Sequence, residues 1–220
     1  MNLQSLLKVP DSQRNQKWED QFLSALAEGE VGVMSPDPIE GPDSWPYLVV
    51  TTEAEQATSE PAQKIIRWLS TRGIGLAINP HKEMPDFILS YGMLWSFCET
   101  GKFIHRNSEV EKDGSTVRRE KVEYTSTNLM HAGTPNEQYL PPYVRTILRD
   151  FFRDQSVFNP KVLLLSSDKK NYDLAFSVES LGAPKESEWA GIGEAISWFL
   201  PPHYSIVLIS EKNLPPFVSL

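Results

Sequence analysis

Residues 74–86, IGLAINPHKEMPD, place His81, Lys82, Glu83 and Asp86 directly after an apolar run that ends at Asn79-Pro80. A histidine and two carboxylates this close together could donate and accept protons, provided something apolar encloses them. Cys98 follows a short way on, and a thiol beside local positive charge could act as a nucleophile. Each feature also has a plainer reading. Pro80 lacks the N–H that a strand ladder needs, so the apolar run must stop there. Met84-Pro85 suits the start of a helix, which makes Lys82, Glu83 and Asp86 the solvated lead into it. Cys98 has Trp95 and Phe97 as neighbours, the company of a partly buried structural cysteine.

Other chemistry has little sequence support. No G-x-G-x-x-G, G-x-x-x-x-G-K-[ST] or G-x-S-x-G pattern is present, so phosphate-cradling glycines and a hydrolase elbow are not expected. His81, His105, His131 and His203 show no metal-ligand spacing, and one cysteine cannot build a paired-thiolate zinc site. We therefore expect no catalytic residues, no metal and no cofactor. Glu186 with Glu188 and Glu109 with Glu111 lie in polar stretches that would leave them solvated. Trp189 and Trp198 cannot share one helix face, because nine residues carry a helix about half a turn away from its starting face. Trp189 falls in the apolar stripe, which leaves Trp198 for a second contact or for solvent, and so for a partner.

The whole-chain balance narrows the partners. A net charge of −8 over 220 residues disfavours nucleic acid and anionic membrane, both of which demand a positive face. Arg118, Arg119 and Lys121 are diluted by Glu120 and Glu123. No apolar run approaches the roughly 18 residues of a membrane span. The first twenty residues lack the apolar stretch of a secretory leader, and a cytoplasmic location is expected.

The elements that must position these residues read as follows. A helix is expected from about Ser12 to Glu28, with Trp18, Phe22, Ala25 and Leu26 on one face. Residues 34–46 are rich in proline and read as loop. A strand at Tyr47–Thr51 leads to a helix from Glu60 to Thr71, capped by Ser59 and with Pro61 in its first turn. A strand at Ile74–Ile78 precedes a helix over Asp86–Phe97. Asp113-Gly114 signals a hairpin. The second half gives a helix from Pro141-Pro142, strands from Val162 and Tyr172, a helix capped by Ser187, and a strand at Tyr204–Ser210. With Val117–Tyr124 as a first strand, that order would make a ferredoxin-like βαββαβ sandwich. The expected class is α+β, in two units, 1–115 and 116–220.

Gly73–Pro80 (GIGLAINP), the helix, strand, strand, helix order of 140–208 and the Leu200-Pro201-Pro202 breaker together resemble the enhanced-serine-sensitivity (SseB) family of two-domain bacterial proteins. The resemblance covers about residues 47–210 and rests on pattern more than on particular residues. It implies a cytoplasmic adaptor or regulatory protein that binds another protein, and it supplies no catalytic residues. A hydrolase or transferase with His81, Glu83 and Cys98 at the domain junction is the competing reading. A secretion chaperone is a third.

Overall fold

The computed structural model describes residues 3–53, 59–80, 85–106 and 131–220. Helices and mixed sheets make an α+β fold in two compact units, which part between Phe103 and Ile104. The division expected at 115/116 lies outside the described residues, as do the Asp113-Gly114 hairpin and the Val117–Tyr124 strand.

The first unit begins with α1 (Leu3–Leu7) and a 3-10 turn at Asp11–Gln13, followed by α2 (Gln16–Glu28). The helix expected from Ser12 starts later because Asn15 caps it, its side chain accepting from the Trp18 N–H at 3.1 Å. Next come β1 (Glu30–Val33), β2 (Ile39–Glu40), β3 (Pro46–Thr51), β4 (Ser59–Pro61), α3 (Ala62–Ser70), β5 (Gly75–Ile78), β6 (Phe87–Leu89) and α4 (Tyr91–Thr100). The sheet order is β4-β1-β3-β5-β6, with β2 also on β3. Among the described residues of this sheet only β3 and β5 run parallel, Tyr47 opposite Gly75 and Val50 opposite Ile78. Helix α3 is the crossover between them.

Two expected helices give up their first residues to the sheet. Ser59–Pro61 pairs antiparallel with β1 instead of opening α3, and the Ser59 hydroxyl reaches Glu30 at 2.9 Å. Phe87–Leu89 pairs with β5, so α4 starts at Tyr91, capped by Ser90, whose side chain accepts from the Met93 N–H. Short edge segments gain more from a ladder with an existing strand than from one extra helical turn. The proline-rich 34–46 stretch likewise contains β2. The core lies where Phe22, Leu26, Ile66, Leu69, Leu76, Leu94 and Trp95 meet, all buried. Trp18, Phe22 and Phe87 stack into it, with ring centres 5.1 Å and 4.8 Å apart in succession. Gly75 is required by close approach: a Cβ there would lie 2.7 Å from the Tyr47 ring and 2.8 Å from the Leu89 carbonyl.

The second unit contains β7 (His131–Gly133), α5 (Pro142–Asp154), β8 (Lys161–Ser166), β9 (Asp173–Ser177), α6 (Trp189–Trp198), β10 (Ser205–Ile209) and β11 (Val218–Ser219). Strand β8 pairs antiparallel with β9, and β9 pairs parallel with β10 across α6. On its other edge β8 holds β11 at Val162 and β7 at Leu164–Ser166. The ferredoxin-like order is not the one found. It would place the first strand between β9 and β10, which instead bond directly to each other. Helix α6 has no side-chain cap from Ser187; a 3-10 turn at Glu186–Glu188 leads into it, and the Glu188 carboxylate accepts from the Lys185 N–H. Leu163, Leu165 and Ala175 form one face of the sheet, closed by Phe217 from the C-terminal stretch. Phe152 of α5 packs near Phe176 on β9, ring centres 5.9 Å apart.

Candidate functional site

Asn79 and Asp86 form a clasp built from backbone demand. Asn79 has a positive φ of 52°, a conformation asparagine tolerates better than most residues. Its side-chain oxygen accepts from the Thr52 N–H at 2.9 Å, and its amide donates to the Thr52 hydroxyl at 2.9 Å and to Asp86 at 2.8 Å. The other Asp86 carboxylate oxygen accepts from Arg14 at 3.3 Å. Arg14 also donates to the carbonyls of Val9, Leu7 and Asp86, pairs with Asp11 at 2.9 Å and lies over Trp18. These bonds tie the ends of β3 and β5 to the stretch between α1 and α2. The Asp86 side chain is only 7% exposed, so its charge needs these donors. Asp86 is therefore a buried structural partner and not the solvated residue expected. His81 and Glu83 lie outside the described residues.

Cys98 is half-buried on α4. Burial raises its thiol above the ordinary value, while a hydrogen bond with Ser70 and the charge of Arg67 pull the other way. At neutral pH this favours the thiol over the nucleophilic thiolate. Trp198 is buried, set edge-on to Phe199 with ring centres 5.0 Å apart. Trp189 is the more exposed of the two and donates its indole N–H to the Pro184 carbonyl at 3.1 Å. Trp189 opens α6 and folds back on the preceding loop instead of joining the buried stripe, whereas Trp198 takes the second contact the sequence left open to it, buried with Phe199 and Leu200.

The fold also joins residues that no spacing in the sequence links. The rings of His105 and His203 lie 4.6 Å apart, and Tyr204 stacks on Tyr139 at 4.4 Å while donating its hydroxyl to the Tyr139 carbonyl at 2.6 Å. Crowding by neighbouring protein atoms, which desolvates the ring, then the charge of His105, lowers His203 to about 4, although the residue as a whole stays exposed. Burial raises the Tyr139 phenol, with Tyr204 and Asp173 adding to the effect. Among the described residues no three histidine, cysteine, aspartate or glutamate side chains gather in a set that could hold a metal ion.

The first unit carries one surface of a different character. Ile65, Ile66 and Leu69 turn α3 toward the core, leaving Lys64, Arg67 and Trp68 on its solvent face. Trp68 is 42% exposed, a large apolar area to leave in water. Arg72, just past the helix, places its guanidinium 4.0 Å from the centre of that ring and donates to the Trp68 carbonyl at 2.7 Å. One cation thus satisfies the helix C-terminus and fixes the aromatic. Lys64 pairs with Glu60 at 2.6 Å. A shallow hollow of about 390 Å³ is bounded by Pro61, Gln63, Lys64 and Arg67. A second hollow, about 370 Å³, lies between Leu3, Ala25, Glu28 and Thr52. The α3 face could have been found in the sequence from the spacing of Lys64, Arg67 and Trp68 opposite the apolar stripe. Compared with family models, curated proteins and solved structures, the chain matches none.

Proposed function

We propose that this is a non-enzymatic binding or regulatory protein that holds another protein through the solvent face of α3. The observation that supports this reading is Trp68, exposed yet fixed by Arg72. An aromatic held in place before binding loses little conformational entropy when a partner covers it. Tryptophan and arginine are also the side chains that most often anchor protein interfaces. The Gly73–Pro80 strand and the element order of 140–208 suit a member of the SseB family, bacterial and cytoplasmic.

The test compares proteins retained from a bacterial lysate by the wild-type chain and by Trp68→Ala and Arg72→Ala. Loss of an interface anchor costs about 2 kcal/mol or more, roughly thirtyfold in affinity, so Trp68→Ala should release the partner. Both variants alter exposed groups and should keep the wild-type circular dichroism. Equal retention by Trp68→Ala would overturn the reading.

A further inference from the structure

Resting on that reading of α3, we infer that the partner surface it takes is a short acidic segment of another protein. Lys64 and Arg67 lie on the exposed side of a helix of nine residues, about 13 Å long, and Arg72 is exposed just past its end. The chain as a whole carries −8, so three cations here run against its overall balance. Their commitments differ. Arg72 is engaged with Trp68, and Lys64 with Glu60. Arg67 is exposed, and among the described residues it has no ion pair. A guanidinium offers a planar fork that a carboxylate fills with two parallel hydrogen bonds. A shallow hollow bounded by Pro61, Gln63, Lys64 and Arg67 lies beside this guanidinium, so a segment can approach it from solvent. Trp68 adjoins it and would take an apolar or aromatic side chain of the same segment.

Charge complementarity sets the class of partner, and length separates acidic protein from nucleic acid. A phosphate backbone carries its charge continuously and gains affinity from many neutralised phosphates. Beyond these few cations it would run onto a surface of net negative charge. A segment with two or three carboxylates and one apolar side chain ends where the cations end.

The test titrates the isotope-labelled chain with a short Glu-rich peptide containing one Phe. Its Gln-for-Glu counterpart and an oligothymidylate of equal length serve as controls, and NMR follows the Trp68 indole and Arg67 side-chain signals. We expect the Glu peptide to shift both signals and the Gln peptide to shift neither. Binding should weaken at least tenfold in Arg67→Glu, and should fall as salt rises from about 0.1 M to about 0.5 M. Arg67→Lys should recover part of it, which a merely structural role would not predict. A shift unchanged in Arg67→Glu, or oligothymidylate binding more tightly than the Glu peptide, would overturn the acidic-protein assignment. No shift with the Glu peptide, while Trp68→Ala still releases the lysate partner, would overturn the acidic chemistry and leave the docking face standing. Retention of that partner by Trp68→Ala would overturn the docking face itself.

Discussion

Asn79 shows how much one side chain can hold. It sits at a positive φ, is 1% exposed, and uses both ends of its amide on Thr52 and Asp86. Asn79→Ala would leave the Thr52 N–H and one Asp86 oxygen short of a partner and place alanine in a left-handed conformation. We expect a loss of about 3 kcal/mol, read by denaturant unfolding. Gly75→Ala should cost about 1–3 kcal/mol, because the Tyr47 ring or the Leu89 carbonyl must move to admit a Cβ. His203 gives a pH dependence. Its folded value, about 4, lies below the unfolded 6.5, so the unfolded chain takes up the proton first as pH falls. Stability from this residue is whole above 6.5 and is lost between there and about 4. The contribution is at most about 1 kcal/mol, since His203 keeps solvent access. His203→Phe should flatten the decline in melting temperature between those two pH values. Sequence made the Asn-Pro stop legible, because proline ends a ladder locally. It did not reveal the partners, since Thr52, Asp86 and Arg14, like the His105–His203 pair, meet only once distant segments fold together.

At the scale of elements, periodicity located what it could and failed where length gave it nothing to work on. Helix α5 and strands β3, β5, β8 and β10 are long enough, or apolar enough, to be read from their own residues. Strand β4 is not: its Ser-Glu-Pro is equally good chemistry for a helix start, and only pairing with β1 decides the matter. Strand β11 is shorter still, two residues placed by β8. The adjacent Phe217 nevertheless closes the core face made by Leu163, Leu165 and Ala175. Phe217→Ala should therefore destabilise the second unit by about 3 kcal/mol, a cost surface substitutions nearby would not approach. Hydrogen exchange on β8 and β9 is the direct readout, because those amides are protected only while that face stays covered. Helix α3 shows the opposite bias. Its buried stripe is legible from Ile65, Ile66 and Leu69, whereas the opposite face mixes cations with one aromatic and has no periodic apolar signal of its own.

For the molecule as a whole, the sign of the total charge and the sign of the α3 face act at different ranges. A chain carrying −8 repels an acidic segment at long range, whereas Lys64, Arg67 and Arg72 attract it only at contact. Salt separates the two. The screening length is about 30 Å at 0.01 M and about 10 Å at 0.1 M, so the first addition of salt removes repulsion from remote carboxylates. Contacts of a few ångströms survive that range and weaken as the screening length shortens from about 10 Å at 0.1 M toward about 3 Å at 1 M. Affinity for the Glu-rich peptide should therefore rise from about 0.01 M to about 0.1 M salt, then fall. A phosphate polyanion held by neutralised charges would weaken monotonically over the same interval. Arg67→Glu should flatten the falling limb, because the contact attraction then loses its guanidinium and gains a carboxylate, and leave weaker binding. Calorimetric titration across that range reads both limbs in one protein, and a monotonic decline for the Glu-rich peptide would mean that the remote carboxylates do not reach the α3 face.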